Sequence, residues 1–309
     1  MTEKIFIGDH VIAALQEKMP LVALETALVT HGLPKPLNVE TALAMEAAVR
    51  AEGAVPCTIG VLGGRIVLGL APDELDRLAA ENEPVKIGLR ELPYAAASEK
   101  SGGTTVSATS YLAHRYGIRI FATGGIGGVH RGAGTTFDIS NDLTVLGRTP
   151  LTVVSSGAKA ILDLKLTLEY LETAGVTVAG YKTKTFPAFY SQSSPYKLPL
   201  QLTSASQAAQ VALVRDGLGL PSALLVCNPV PQDVEIPWSE LMSLVAQADD
   251  EIRKGGISGQ DVTPEMLRRM FVLSEERTLK ANLALLVENA RLGAQIACNM
   301  QILRSENDG

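Results

Sequence analysis

"LTVVSSGAKAILDLKLTLEYLETAGVTVAG", residues 151–180, decides the fold. A β-branched apolar run (151–157) is followed by a turn of small residues, a segment with helical spacing of its leucines (166–175), and a second apolar run (176–180). Two strand-length runs joined by a helix-length amphipathic segment are the pattern of a right-handed parallel βαβ unit. The stretch therefore predicts an α/β protein with a parallel sheet.

The same alternation extends in both directions. "LVALET" (21–26) reads as a strand, and Asn38 as the cap of a helix, "VETALAMEAAVRAEG", that Gly53 ends. "TIGVLGGRIVLGL" (58–70) is two β-rich runs around Gly63-Gly64, a hairpin signal. A helix over about 73–81 precedes a strand in "VKIGLREL". In "GGTTVSATSYLAHRYG" (102–117) a Gly-Gly-Thr-Thr entry opens a helix that leads into strand "IRIFAT" (118–123). "SALLVCNP" (222–229) supplies a further buried strand. The last third predicts helices over 238–254, from Thr263 as cap with Pro264 at the first position, and over 277–303. No linker or repeat divides the chain, so residues 1–309 are expected to form one α/β domain with a helical C-terminal portion.

Composition narrows the function. The chain has 46% hydrophobic and 19% charged residues, which suits a packed globular protein. Its net charge of −6 comes from mixed signs without a Lys/Arg block, which argues against nucleic acid as a partner. The N-terminus lacks a basic segment followed by an apolar one, and no 18-residue apolar run exists, so a cytoplasmic protein with no membrane association is expected. Cys57, Cys227 and Cys298 are far apart in apolar contexts and read as buried thiols.

The stretch "FATGGIGGVHRGAGTTFDISND" (121–142) is where chemistry is expected, because ligands in open α/β sheets bind outside the carboxyl ends of strands. It fails the dinucleotide fingerprint, since "GIGGVH" has His130 where the third glycine belongs, and it lacks the Gly-Lys-Ser/Thr of a P-loop. Its glycines predict close backbone approach to a ligand, or a strand-to-loop crossing. Asp138 and Asp142, with Ser140 and Asn141 between, suit a hard divalent ion such as Mg²⁺ or Mn²⁺, although helix capping explains them equally well. His130 and Arg131 could meet a phosphate or substrate oxygen, and Thr123 ends the preceding strand.

Three charged residues interrupt apolar context. Glu25 ends the strand "LVALE", where a general acid/base with a raised pKa competes with a plain ion-paired glutamate. Lys159, among small and apolar residues in "SSGAKAILDL", is placed for Schiff-base chemistry if its pocket is poorly hydrated, and otherwise snorkels to the surface. Lys86 in "PVKIGLREL" could bind an anion. Asn282 and Asn289 share a face of the last helix and need partners there.

Together these residues resemble the pseudouridine-5′-phosphate glycosidases, which include the indigoidine-cluster proteins. The resemblance runs from about residue 20 to 300 and rests on "ALETALVTHGLPKPLNVETAL", "SGGTTVSAT", "FATGGIGGVHRGAGTTFDIS", "GAKAILDLKLTLEYLET", "FPAFYSQSSP", "NPVP" and "NLALLVENA". It implies a three-layer α/β/α fold with a mostly parallel central sheet, assembled as a homotrimer. It also implies reversible cleavage of pseudouridine 5′-phosphate to uracil and ribose 5-phosphate with a divalent metal, Mn²⁺ or another such as Mg²⁺. The catalytic lysine falls on Lys159, the acid/base on Glu25 and the metal ligand on Asp138. Substrate contacts fall on Lys86, Val106, Thr123, His130, Ser140, Asn141, Asp142 and Asn289.

An ordinary glycosidase protonates a leaving heteroatom between two carboxylates, and here the leaving atom is carbon. The resemblance implies instead that Glu25 protonates the ribose ring oxygen and that Lys159 adds at C1′, its nitrogen serving as electron sink. The chain departs from the family in three places: Thr26-Ala27 follows the glutamate in place of Ser-Thr, Ser155-Ser156-Gly157 replaces Cys-Ala-Gly, and Glu288-Asn289 replaces Asn-Asn. These departures motivate an alternative, a C-glycoside synthase that joins ribose 5-phosphate to another aromatic or heterocyclic acceptor. A non-catalytic sugar-phosphate binder has no need of both Glu25 and Lys159.

Overall fold

The computed structural model describes residues 4–255 and 262–307. Its strands are β1 (Ile5–Ile7), β2 (Leu21–Leu24), β3 (Val55–Leu62), β4 (Arg65–Leu68), β5 (Val85–Ile87), β6 (Gly102–Thr104), β7 (Ile120–Ala122), β8 (Thr152–Ser155), β9 (Thr177–Tyr181), β10 (Leu200–Leu202) and β11 (Leu224–Cys227). They form a mostly parallel sheet in the order β1-β4-β3-β2-β7-β8-β11-β9-β10, with β6 added to β3 and β5 to β6. Helices cover both faces, and the C-terminal part is helical. The α/β fold expected from residues 151–180 is present, with the helix at Leu164–Thr173 between β8 and β9.

The middle strands β2, β8 and β11 are buried at every position, as is β7, which is why they read as continuous apolar runs without alternation. Fully burying such Leu, Ile, Val and Phe side chains contributes about 1.5–3 kcal/mol each. Leu24, Ile120 and Phe121 are among those with no more than 2% exposure. Helix Arg277–Asn307 lies across β7, β2 and β8 and packs on helices Leu37–Ala51 and Ala205–Gly217. Gly293 permits its close approach, since a Cβ there would stand 3.3 Å from the Ala122 Cβ.

Strand β3 changes partners along its length. Val55–Thr58 pairs parallel with β2, whereas Ile59–Leu62 pairs antiparallel with β4, and Gly60 and Val61 with β6. The β3–β4 hairpin turns at Gly63 (φ +53°) and Gly64 (φ +76°), as their sequence predicts. At Gly53 (φ +86°) the helix Leu37–Ala51 ends as expected.

Elsewhere the local reading is corrected. Gly102–Thr104 is a strand, because Gly103 lies where a Cβ would stand 2.4 Å from Thr26 O; the helix begins only at Val106. "VKIGLREL" is a strand only through Ile87, and a short helix, Leu92–Ala97, takes its end. Asn38 lies inside the first turn and donates from Nδ2 to Val29 O, so it ties that helix to the preceding loop without capping it. The cap expected at Thr263 lies outside the described side chains.

Candidate active site

The chain runs from β2 outward to β3 and β4 on one side, then returns to lay β7 and β8 on the other side of β2. The sheet's topological switch point therefore lies between β2 and β7, the place where open α/β sheets bind ligands outside the carboxyl ends of their strands. Glu25 leaves the end of β2, Thr123 the end of β7, Lys159 the turn after β8, and Asn228 the end of β11.

Glu25 is half-buried, and the Thr123 hydroxyl donates to its Oε1. Loss of water raises its pKa above the usual carboxylate value, and the nearby Asp142 carboxylate adds to this. The Lys159 ammonium, the Thr123 hydrogen bond and Lys86 oppose the rise. The carboxyl group is thus biased toward holding a proton within reach of two cations. Its backbone is fixed by Thr26, whose buried Oγ1 donates to Ile59 O (2.7 Å) and accepts from Thr104 N (3.1 Å). A π-helical turn, Leu28–Gly32, follows directly, a local geometry common at functional sites.

Lys159 sits on a tightly constrained turn. Gly157 has φ +77°, and a Cβ there would stand 2.1 Å from Pro187 O, so only glycine fits. Lys159 N donates to Ile126 O (3.2 Å), which pins this turn to the glycine-rich loop. Glu25 and Lys159 come from strands that flank β7, with the Thr123 side chain between their strand ends; their strands are not adjacent.

Gly124, Gly125, Gly127 and Gly128 of the loop serve packing, whereas a Cβ on Gly132 or Gly134 would meet nothing within 4 Å. A Cβ on Gly125 would stand 2.5 Å from the Phe189 ring, one on Gly127 2.3 Å from Ser140 Oγ, and one on Gly128 2.4 Å from Thr167 Oγ1. They let residues 124–128 lie flat against 140–142 and the neighbouring segments. Asp142 is buried and accepts from Ser107 N and Gly127 N, each at 2.9 Å. This carboxylate therefore joins the loop to the start of helix Val106–Arg115, where Val106 is buried. Ser140 caps helix Asn141–Leu146 by accepting from Asp142 N, and Asn141 is exposed.

Around this core stand the other expected residues. Lys86 lies close enough to Lys159, Asp142 and Glu25 to feel all three charges, and loss of water with Lys159 pushes its pKa down. Burial also pushes His130 down, against the pull of Asp138. Asp138 is exposed, with Oδ2 3.7 Å from His130 Nδ1. Among the described residues no group of three or more His, Cys, Asp or Glu side chains is arranged to hold a metal. One carboxylate and one imidazole nitrogen would suit only an ion that keeps most of its water, as Mg²⁺ and Mn²⁺ do. Asn289 is fully buried, while Asn282, two turns away, is half-buried.

Sequence reasoning missed two groups, and it left a third, His31 in "VTHGLP", as a lone histidine of the structural kind. Asn228 bonds Asn289, and its signal was the strand-ending "NPVP". Phe189, in the left-handed region at φ +61°, packs beneath Gly124 and Gly125. His31 lies near Lys86, which together with burial lowers its pKa. A depression of about 750 Å³ opens beyond Asn228, lined by Gln192, Pro229, Asp233, Lys280, Leu283 and Glu288 among others; Glu25 and Lys159 do not line it.

Comparison with known proteins agrees with this fold. The family model described as "Indigoidine synthase A like protein" matches residues 10–299. The pseudouridine-5′-phosphate glycosidase of Solibacter usitatus (strain Ellin6076) is 50% identical over 295 residues, covering 96% of this chain and 99% of the relative. That of Dinoroseobacter shibae (strain DSM 16493 / NCIMB 14021 / DFL 12) is 51% identical, covering 94% and 96%. Among solved structures, the prealnumycin C-glycosynthase AlnA in complex with ribulose 5-phosphate superposes with a TM-score of 0.91 at 36% identity, covering 98% of each chain. An indigoidine synthase A-like protein from Thermotoga maritima gives 0.85 at 35% identity, covering 95% of each. The chain belongs to the indigoidine synthase A-like family, the family of the pseudouridine-5′-phosphate glycosidases.

Proposed function

We propose that this protein reversibly cleaves the C–C bond of pseudouridine 5′-phosphate, giving uracil and ribose 5-phosphate. The observation that carries the reading is the meeting of Glu25, Thr123 and Lys159 at the switch point of the sheet. A carboxyl group with a raised pKa beside a lysine supplies both a proton and a nucleophile.

In this reading Glu25 gives its proton to the ribose ring oxygen as the C1′–O4′ bond breaks, the electrons coming from the uracil ring. The result is a conjugated system from C1′ into the base. The Lys159 amine adds at C1′ and restores the aromatic ring. Protonation of uracil C5 then lets the C1′–C5 bond break, the lysine nitrogen lone pair forming the C1′ iminium. Water hydrolyses this imine, releasing ribose 5-phosphate and the free amine. One water is consumed in total, and no redox partner is needed.

Lys86 and His130 flank this pair and are suited to the phosphate and hydroxyl oxygens of the sugar. Asp138, with His130 beside it, would hold a divalent ion, Mn²⁺ or Mg²⁺. Bound there, such an ion would orient water and neutralise phosphate charge. The reading also includes assembly as a homotrimer, which light scattering of the purified protein checks.

The test is release of uracil from pseudouridine 5′-phosphate with Mn²⁺ present, together with borohydride reduction in the presence of ribose 5-phosphate. A reduced adduct on Lys159, and its loss in Lys159→Ala along with turnover, is expected. Full activity of Lys159→Ala, or an adduct on Lys86, would overturn the mechanism. The likeness to a C-glycosynthase at a TM-score of 0.91 supports a second reading, synthesis with another acceptor ring. Strict preference for uracil over other heterocycles in the synthetic direction would reject it.

A further inference from the structure

One side chain joins the carboxyl ends of β7, β8 and β11. Asn289 is fully buried and donates from Nδ2 to Thr123 O (2.9 Å), Ser156 Oγ (3.1 Å) and, at longer range, Gly124 O (3.4 Å). Its Oδ1 accepts from Asn228 Nδ2 (3.0 Å). We propose that Asn289, with Asn228 and Ser156, is a positioning clasp that sets the spacing between Glu25 and Lys159 without touching substrate.

The connections run outward in two directions. Through Thr123 the clasp reaches Glu25, because the residue whose carbonyl accepts from Asn289 is the one whose hydroxyl holds the carboxylate. Through Ser156 it reaches Lys159, three residues on. The intervening turn has little freedom to absorb a shift: Gly157 is wedged against Pro187 O, Phe189 N donates to Ser156 O (2.9 Å), and Ile126 bridges to Ala158. A displacement at Ser156 is therefore passed to the lysine. A carboxamide has two N–H groups and one oxygen, and here both ends are already engaged by protein in a position with no exposed surface. Both N–H groups and the oxygen of Asn289 are thus held by protein.

This inference rests on the glycosidase reading, and misplacement of reacting groups by about 1 Å costs about 100-fold in rate. Asn289→Ala is expected to lower kcat about 100-fold while leaving the KM for pseudouridine 5′-phosphate within about threefold. Ser156→Ala, which removes one acceptor and leaves the fold, is expected to lower kcat several-fold in the same way. An increase in KM at unchanged kcat would make Asn289 a substrate contact and overturn the proposal. A lowered melting temperature with unchanged kinetics would reduce it to packing and overturn it as well. If Asn289→Ala does not fold, Ser156→Ala and Asn228→Ala carry the same measurements. A reaction-independent arm separates this proposal from the glycosidase reading: crystal structures of wild type and Ser156→Ala should show a changed separation between the Glu25 carboxylate and Lys159 Nζ. An unchanged separation would overturn the clasp even if turnover of any substrate had never been seen.

Discussion

Two carboxylates expected at the site live under opposite conditions. Glu25 grows from the buried strand β2, is held by a hydroxyl, and has its pKa raised by burial. Asp138 sits on a loop with its side chain 58% exposed, and its nearest ionic neighbour is an imidazole 3.7 Å away. The contrast fits the roles proposed for the two groups. A proton donor near neutral pH has to lose water, while a group that serves a hydrated divalent ion has to keep it. Between them, Asp142 shows a third use, with both oxygens engaged by backbone N–H groups in joining two elements.

Substitutions can break this contrast in order of expected effect. Replacing the donor, Glu25→Gln, should cut kcat/KM for pseudouridine 5′-phosphate by about 10²–10⁴-fold, the usual weight of a general acid. A loss confined to KM would remove Glu25 from proton transfer. At the exposed end, Asp138→Ala should weaken the apparent affinity for Mn²⁺ by about 10–100-fold with little change in melting temperature, read by titrating metal into the apoenzyme. An unaltered metal dependence would move the ion elsewhere. Gly127→Ala should destabilise the protein by about 1–3 kcal/mol, since its Cβ would collide with Ser140 and Asp142. A neutral result would mean the loop is not held against the 140–142 segment.

The smallest effect sharpens the comparison most. Because the folded pKa of Glu25 lies above its unfolded value, the native state binds more protons than the unfolded chain between those two values, and stability falls as pH rises through that window. Glu25→Gln should therefore melt at a higher temperature than wild type at neutral pH, with the advantage vanishing below the unfolded pKa. A melting-temperature difference that does not change with pH would remove the burial effect on the Glu25 carboxyl.

The sheet was legible because its middle strands are buried on both faces and so appear as unbroken apolar runs between helix-length segments. Glu25 was legible for the same reason, as a charge where burial demands an apolar residue. The short strand Gly102–Thr104 was not, because its glycines answer to Thr26 and Val85 across space and carry no strand composition of their own. The loop glycines were read as room for a ligand or as a strand-to-loop crossing, and at Gly124, Gly125, Gly127 and Gly128 a Cβ would strike atoms of the protein itself. Asn289 was found as a polar residue on a buried face, but its partners, contributed by three strand ends, are set by tertiary packing alone.

The order in which the site is assembled has a consequence for biosynthesis. Glu25 emerges early, Lys159 midway, and Asn289 only within the final helix, whose packing against Leu37–Ala51 brings the two extremes of the chain together. A nascent chain long enough to form β2, β7 and β8 still lacks the residue that ties their ends. In the proposed reading, Glu25 and Lys159 stay unmatched until the helix that carries Asn289 has been made and has packed across β7 and β8.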